Sequence, residues 1–428
     1  MLVIISDLHF TDGTTSNWAG GKDLFNVDPK AFKLFFSKIS NMIGRRKPMK
    51  EVTFVYNGDV FDLLRTNVWF GVPRNQRPWS VPLNKDKVYQ RCTKILEDII
   101  GHNKESLAWL SGTHPDFDKV WKHDTTIKRV YIPGNHDRII NLHPPCRKQV
   151  RDNLLDQKGS GRFENSYTDP GYHQTLVMHG HESDAFNCEF DNQGNAKYAA
   201  VPIGDPMTTM LFARLGYMAE ELPIPKQAKK RFKDIDNVRP ALSIIRYVQD
   251  IIRDFNIGKK VDGMIRETIS DFEGLPFYKQ WNKRHDRFNI GFDEADKLQV
   301  AMRAVRLLGS AVPVGLLEKL AGFIRDESCQ KLAKRKLASD LNSDIRYCVF
   351  GHTHEPTHIP LYVDKNQGVE KHYLNSGTFR TTFTQTFDKE DFLRFQRMSF
   401  VVIYGRKEFT PTDNTPAYEM WSGLRMHH

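Results

Sequence analysis

The sequence of 428 residues lacks the signals of several protein classes. It contains no apolar run of about 18 residues, so we expect no membrane-spanning helix. Its five cysteines are widely spaced and form no CxxC pair, which argues against a disulfide framework and against a zinc-thiolate site. The first residues lack the charged and apolar segments of a secretory signal. We therefore expect free thiols in a cytoplasmic protein.

The composition is that of an ordinary globular protein with an excess of positive charge. Apolar residues make up 39 % and charged residues 27 %, and the net charge of +10 raises the question of an anionic partner. The excess is spread along the chain, because residues 187–343 hold 26 of the 62 basic and 21 of the 52 acidic side chains. Nucleic-acid-binding proteins usually gather positive charge into a patch. The charge by itself therefore does not indicate a nucleic-acid partner.

Five short apolar and β-branched runs, each typical of a buried strand, end in polar residues. Helical patterns lie between them, such as the apolar stripe from Phe32 to Ile43. Alternating strands and helices predict an α/β fold, in which ligands gather at the carboxyl ends of the strands. In chain order the polar groups are Asp7-Leu8-His9, Asn57-Gly58-Asp59, Gly134-Asn135-His136-Asp137, His179-Gly180-His181 and Gly351-His352-Thr353-His354.

A long segment between the fourth and fifth polar groups interrupts this alternation. Residues 187–343 have mainly helical patterns, and we expect them to form a helical insertion that acts as a lid or cap. Its candidate helices are 206–221, 240–255, 261–272, 293–308 and 313–337. The core then consists of residues 1–186 and 344–428, with a C-terminal extension at its end.

The polar groups together supply enough donors for two metal ions. These donors are carboxylate, amide and imidazole groups without a thiolate, a set that suits Mn²⁺, with Fe and Zn²⁺ as alternatives. Two such ions can hold a bridging hydroxide for in-line attack on phosphorus. We expect Asp59 to bridge the ions, because its negative charge offsets their mutual repulsion. The candidate ligands are Asp7, His9, Asp59, Asn135, His179, His352 and His354.

The motifs Asp-Leu-His, Gly-Asp-Val-Phe-Asp, Gly-Asn-His-Asp, His-Gly-His and Gly-His-Thr-His resemble the five ordered blocks of the calcineurin-like metallophosphoesterase superfamily. The resemblance covers residues 1–186 and 341–405. It implies a four-layer αββα sandwich of two mixed sheets with a binuclear metal site at one edge. By matching position, one ion would be bound by Asp7, His9, Asp59 and His354, and the other by Asp59, Asn135, His179 and His352.

The resemblance also implies that His136 contacts the phosphate and helps the leaving group to depart. A histidine can protonate the leaving oxygen, and we expect Asp137 to orient its ring. His179 and His181 compete for one ligand position, and we favour His179 because it comes first after the strand.

Further polar residues next to the motifs are expected to support the site. Asp62 and Asp184 are candidates to accept hydrogen bonds from ligand imidazoles and so fix their orientation. Arg65, Arg138 and Arg380 are candidate phosphate contacts.

Within the superfamily, the Gly-Asp-Val-Phe-Asp-Leu-Leu block and the helical insertion are similar to UDP-2,3-diacylglucosamine pyrophosphohydrolases. In that family the insertion covers lipid chains, so peripheral lipid contact through the insertion is one option here. This chain has a longer insertion, and it has His136 where that family typically has arginine. Histidine at this position is shared with repair exonucleases that cleave DNA.

We therefore expect a hydrolase that cleaves a phosphodiester or pyrophosphate bond in a phosphorylated, anionic substrate. One alternative is a Mn²⁺-dependent nuclease acting on DNA or RNA. The other is a catalytically silent scaffold that uses the insertion to dock a partner. The complete donor set argues against the scaffold, because a protein that had lost catalysis would be expected to lack some of these residues.

Overall fold

A computed structural model describes residues 1–19, 21–44, 49–239, 243–285, 327–339, 344–364, 368–388, 390–408 and 417–426. The strands are β1 (Leu2–Ile5), β2 (Trp18–Ala19), β3 (Lys22–Asp23), β4 (Glu51–Asn57), β5 (Thr126–Ile132), β6 (Ser166–Asp169), β7 (Thr175–Met178), β8 (Val238–Arg239), β9 (Tyr347–Phe350), β10 (Thr357–Asp364), β11 (Val369–Asn375), β12 (Thr381–Gln385), β13 (Phe392–Ile403) and β14 (Tyr418–Met426).

Helices connect and cover these strands. The α-helices are α1 (Pro29–Gly44), α2 (Lys85–His102), α3 (Lys104–Ser111), α4 (Phe117–Val120), α5 (Arg138–Leu142), α6 (Pro144–Val150), α7 (Gly204–Met207), α8 (Arg214–Ala219), α9 (Lys226–Lys233), α10 (Ser243–Phe255), α11 (Gly258–Glu273), α12 (Pro276–His285) and α13 (Glu327–Leu337). Short 3₁₀ turns lie at Asn67–Phe70, Arg74–Gln76, His181–Ser183 and Ile235–Asn237, and wider π turns lie at Arg151–Leu155 and Thr208–Ala213. The predicted mixed α/β class is confirmed.

The first large sheet has the strand order β5-β4-β1-β13-β12-β8, with β14 also paired to β13. Strands β1, β4 and β5 run parallel, and β13 runs antiparallel to β1. All four residues of β1 are apolar and buried, as expected of a central strand that is covered on both faces. The carboxyl ends of the three parallel strands consequently point to the same edge.

The second large sheet has the order β10-β11-β9-β7-β6, in which β7, β9 and β11 run parallel. The two sheets pack face to face through an apolar cluster that includes Ile4 and Val55 of the first and Val349 of the second. At the strand ends, Asn57 Nδ2 of the first sheet donates a hydrogen bond to Met178 O of the second at 2.8 Å. The polar residues that follow the strands of both sheets are thereby brought together.

Helices pack against both sheets. The apolar stripe of α1 predicted from the sequence is buried, and its Phe35 ring contacts Phe54 of β4 and Phe400 of β13. On the second sheet, α13 packs Leu332 into a cluster with Phe350 of β9.

The segment expected to be a helical insertion is largely helical where it is described. Residues 204–219 form one continuous helical stretch through α7, the π turn and α8, and α10 and α11 occupy the next two predicted helices. Helices α9 and α12 were not predicted. The candidate helix at 293–308 lies outside the described residues, as does most of the candidate at 313–337, of which only the end is seen as α13.

The insertion is joined to the remainder of the chain. Its strand β8 pairs with β12 of the first sheet, with Val238 opposite Phe383. Its side chains Met210 and Trp281 belong to the same apolar cluster as Phe35 of α1. The insertion thus shares both a sheet and an apolar core with the residues around it, while the division into three segments stays a prediction.

All five cysteines are buried and none forms a disulfide, in agreement with the expectation of free thiols. Among the described residues, no helix combines the length and the apolar character that crossing a membrane requires.

Candidate metal centre

The polar groups predicted from the sequence meet at one end of the two sheets. All the candidate ligands are buried except His352, whose side chain is 12 % exposed. Three sets of side chains each bring their ligand atoms within 4.8 Å of one another. These sets are Asp7, His9 and His354; Asp7, Asp59 and His179; and His9, Asp59 and His136.

In the first set, two imidazoles and a carboxylate face one another. His9 Nε2 lies 3.1 Å from His354 Nε2, and Asp7 Oδ1 lies 3.7 and 3.3 Å from these two nitrogens. Asp7 Oδ1 is buried, and no described residue forms a hydrogen bond with it. A buried carboxylate oxygen is costly unless it is paired, and a cation between these atoms would provide the partner.

Asp59 lies between the first set and a second group of donors. Its Oδ2 is 3.6 Å from His9 Nε2 and 3.3 Å from His179 Nε2, and His179 Nε2 is in turn 3.2 Å from Asn135 Oδ1. Although burial opposes it, the imidazoles of His179 and His136 lower the pKa of Asp59, so its carboxyl group is ionised. Asp59 therefore has the position and charge expected of a ligand shared by two ions.

His352 is placed differently from the other candidate ligands. Its Nε2 lies 3.2 Å from Asp184 Oδ2, and its backbone N–H donates to Asp7 Oδ2 at 3.0 Å. Its ring centre is 5.5 Å from that of His179. Because Asp184 holds Nε2, Nδ1 is the ring nitrogen left to act as a ligand, and Asp184 has the orienting contact expected from the sequence.

Non-glycine residues with positive φ angles are concentrated at this site. Five candidate ligands have positive φ angles: Asp7 (54°), His9 (45°), Asp59 (51°), His352 (69°) and His354 (63°). Outside glycine, such angles are found at only three other described residues. Each costs about 1–3 kcal/mol and persists only where the surroundings impose it, as at functional sites. The sharp turns after β1, β4 and β9 are thus maintained at the expense of backbone strain.

Glycines next to the ligands allow the strand ends to approach one another. A Cβ atom at Gly134 would lie 2.2 Å from Asp59 Oδ1, and one at Gly351 would lie 2.5 Å from Asp7 Oδ2. No side chain larger than hydrogen fits at either position without displacing a candidate ligand.

Hydrogen bonds to the Nδ1 atoms set the direction of the imidazoles. His9 Nδ1 lies 3.0 Å from Asp62 Oδ2, and His179 Nδ1 lies 2.9 Å from the carbonyl oxygen of Asn57. Because a carbonyl oxygen can only accept, His179 Nδ1 carries the hydrogen and Nε2 presents a lone pair to the centre.

Asp62, and not Asp137, orients His136. His136 Nδ1 is 3.0 Å from Asp62 Oδ1. The sequence-based expectation for Asp137 was wrong, because Asp137 lies before α5 and accepts from the backbone N–H groups of Gly134 at 2.6 Å and Val60 at 2.9 Å. Burial alone would lower the pKa of His136, but the charges of Asp62 and Asp59 raise it to about 10. The two carboxylates therefore favour the protonated form of the His136 imidazole.

The geometry favours His179 over His181 at the shared ligand position. His181 is buried, its ring centre is 5.4 Å from that of His179, and its Nδ1 has no hydrogen-bond partner in the part of the chain that the structure describes. Burial lowers the pKa of His181 to about 4, so this imidazole is neutral.

The three arginines expected to contact phosphate have different surroundings. Arg138 is in a buried ion pair with Asp205 of the insertion, Nη2 to Oδ2 at 2.6 Å, so the structure does not support Arg138 as a phosphate contact. Arg65 and Arg380 both donate to Asn237 Oδ1.

Sequence reasoning missed Arg239, whose Nη2 lies 3.0 Å from His354 Nδ1. This arginine belongs to the segment 234–239 (Asp-Ile-Asp-Asn-Val-Arg), which interrupts the helical patterns of the insertion and is followed by Pro240. That interruption is the only signal in the sequence, and it matches no motif.

The donors fit divalent cations in number and type. Carboxylate oxygens and imidazole nitrogens converge, the Asn135 amide oxygen lies 3.2 Å from one of these imidazoles, and no thiolate belongs to the sets of ligand atoms found among the described residues. No protein-family model matches the chain, and no curated protein is significantly similar to it. The chemistry of the site therefore has to be argued from its residues.

Proposed function

We propose that this protein is a metal-dependent phosphoesterase that hydrolyses a phosphodiester or pyrophosphate bond. The observation that carries the proposal is the convergence of two carboxylates and three imidazoles at one end of the two sheets, from Asp7, Asp59, His9, His179 and His354. Asn135 Oδ1 lies 3.2 Å from His179 Nε2, and His136 lies beside Asp62. The motif resemblance to calcineurin-like metallophosphoesterases supports it. So does the face-to-face packing of the two sheets, which agrees with the four-layer αββα sandwich that the resemblance implies.

Two divalent ions fit the centre, with Mn²⁺ preferred and Fe or Zn²⁺ as alternatives. Asp59 would be shared between them. When bound, such ions activate water and neutralise the charge on the phosphoryl oxygens. One ion would be held by Asp7, His9 and His354, and the other by Asn135, His179 and His352.

His136 would provide the proton for the leaving group. Its Nδ1 is held by Asp62, which leaves Nε2 for the substrate. As an imidazolium it can donate a proton to the departing oxygen or stabilise negative charge on the phosphoryl group. The side chain is 13 % exposed, so a substrate that enters the centre can reach it.

Hydrolysis of bis(p-nitrophenyl) phosphate in the presence of Mn²⁺ tests the proposal. We expect turnover by the full-length protein, its loss with EDTA, and its loss in Asp59→Asn. The matched control is Asp118→Asn, which neutralises an exposed aspartate of α4 and should keep full activity. Unchanged turnover in a folded Asp59→Asn protein would refute the assignment of the centre.

A panel of substrates separates the alternatives. Phosphomonoesters, phosphodiesters, nucleoside diphosphate conjugates, DNA and RNA would be compared under the same conditions. A nuclease would cleave labelled DNA or RNA with a rate that falls as salt rises. Inactivity on all nucleic acids would exclude it, and inactivity on every substrate would favour the scaffold alternative.

A further inference from the structure

We infer that Arg65, Arg239 and Arg380 form a binding site for a second phosphate group of the substrate, beside the candidate metal centre. The inference rests on the proposed function, because it places this phosphate next to a scissile phosphoester. It goes beyond that function by requiring a substrate with two phosphates.

Two of the arginines are fully enclosed. Arg65 is 1 % exposed and Arg380 is 3 % exposed. Arg65 Nη1 donates to Asn237 Oδ1 at 3.0 Å, and Arg380 Nη2 donates to the same oxygen. Asp236 Oδ2 lies 3.3 Å from Arg65 Nη1 and 3.7 Å from Arg380 Nη2. The two guanidinium groups therefore meet at one point of the insertion.

Arg239 extends this positive region to the metal centre. Its Nη1 donates to the carbonyl oxygens of Asp236 at 2.9 Å and Val238 at 2.8 Å, which fixes the guanidinium. Its Nη2 lies 3.0 Å from Nδ1 of the candidate ligand His354. A phosphate held by Arg239 would consequently lie close to an ester bound at the centre.

In the described ion pairs, these arginines outnumber the carboxylates that face them. Asp236 is the one carboxylate that the described contacts pair with Arg65 and Arg380. Burial and the neighbouring Arg65 guanidinium lower the pKa of Arg380 to about 9, which reflects the cost of gathering these cations. An anion with several acceptor oxygens would offset their repulsion.

The side-chain amide of Asn237 provides a further hydrogen-bond donor beside Arg65 and Arg380. Asn237 is 1 % exposed, and its Oδ1 accepts from two arginines, whereas its buried Nδ2 has no hydrogen-bond partner among the described residues. A buried donor without a partner is unfavourable, and a phosphate oxygen would satisfy it.

A purely structural role explains only part of this arrangement. Arg65 and Arg380 hold Asn237 and so attach the insertion to the first sheet. Arg239 belongs to the insertion itself, and its outer nitrogen is directed at a residue of the metal centre. Attachment of the insertion does not account for that contact.

The burial of Arg65 and Arg380 also indicates the kind of substrate. Enclosed arginines suit a terminal phosphate that enters a pocket, whereas the internal phosphates of a nucleic-acid strand need an open groove along which the chain can continue. We therefore place the second phosphate at the end of a small molecule.

A matched pair of chromogenic esters tests this preference. The p-nitrophenyl ester of thymidine 5′-phosphate would be compared with the same ester carrying a terminal 3′-phosphate, at constant ionic strength. We expect kcat/KM to be about 10- to 100-fold higher for the second ester, as for a hydrogen-bonded charged contact. Arg239→Gln should remove most of this gain.

Arg266→Gln is the matched control for this experiment. Arg266 is an exposed arginine of the insertion on α11, and its replacement should leave the preference unchanged. An equal kcat/KM for both esters in the wild type, or an undiminished preference in folded Arg239→Gln, would overturn the inference.

A measurement of phosphate binding in the absence of turnover tests this inference separately from the proposed function. Inorganic phosphate would be titrated calorimetrically into the full-length protein in EDTA. We expect saturable binding by wild type and Arg266→Gln, at least tenfold weaker binding by Arg239→Gln, and partial recovery in Arg239→Lys.

The two proposals fail in different ways. Failure to hydrolyse either ester, with phosphate binding retained, would contradict the proposed function alone. Absence of phosphate binding by the folded wild-type protein would overturn the inference whatever the hydrolysis results.

Discussion

The ring of His136 shares the carboxylate of Asp62 with the candidate ligand His9. Its Nδ1 is held by Asp62, yet it also belongs to one of the sets that could hold an ion, together with His9 and Asp59. A proton donor and a ligand respond differently to removal. If His136 donates a proton, its loss slows the reaction and leaves the ions in place.

We expect His136→Ala to lower kcat by roughly 10²- to 10⁴-fold with unchanged metal content. Steady-state kinetics with bis(p-nitrophenyl) phosphate and metal analysis of the same sample measure both quantities. His143→Ala is the control, since this ring stacks on Tyr89 and should affect neither. Loss of bound metal from His136→Ala would identify His136 as a ligand.

The glycines at the strand ends give a second prediction for single residues. A methyl group at Gly134 would lie 2.2 Å from Asp59 Oδ1, so Gly134→Ala should displace this carboxylate and abolish both Mn²⁺ binding and hydrolysis. Gly263→Ala is the control, because a Cβ there meets nothing within 4 Å in helix α11. This control should keep its activity and gain up to about 1 kcal/mol in unfolding free energy. Full activity in Gly134→Ala would contradict the close approach of Gly134 to the carboxylate of Asp59.

The elements that carry the centre could be predicted, because each strand is a short apolar run and each turn has a motif. Helix α9 could not, since it buries only Ala228 and Phe232 within a basic stretch. Strand β8 has two residues and no pattern of its own, and only its pairing with β12 makes it a strand. Elements that depend on distant partners leave little trace in the local sequence.

Asp234 lies in the connection between α9 and β8, and its burial predicts that the unfolding free energy of the protein depends on pH. Burial raises the pKa of Asp234 to about 7, although a hydrogen bond from Asn17 opposes this. The folded protein therefore keeps a proton that the unfolded chain releases near pH 4, and stability from this group falls as the pH rises from 4 to 7.

Replacing this group with a neutral amide should remove the pH dependence. The difference in unfolding free energy between Asp234→Asn and wild type should be about 1–3 kcal/mol larger at pH 8 than at pH 5, in favour of the variant. Urea unfolding at both pH values measures the gain, with Asp118→Asn as the exposed control. A gain at pH 5 equal to that at pH 8 would contradict the raised pKa.

At the scale of the whole molecule, the candidate ligands follow strands of both sheets, and Arg239 of the insertion contacts one of them. The five motifs revealed the donors, and their order predicted that the donors would meet. The contacts of Arg138 with Asp205 and of Arg239 with His354 join residues that are 67 and 115 positions apart. No spacing rule links such residues, so the contribution of the insertion to the site became visible only in three dimensions.

The central claim is that these residues bind two divalent ions. The most direct test is metal analysis of the full-length protein after loading with Mn²⁺ and removal of free metal, compared with Asp59→Asn and the control Asp118→Asn. We predict about two ions per chain in wild type and Asp118→Asn, and a clear loss in Asp59→Asn, as for a carboxylate that serves both ions. Less than about one ion per wild-type chain, or an unchanged content in folded Asp59→Asn, would contradict the account.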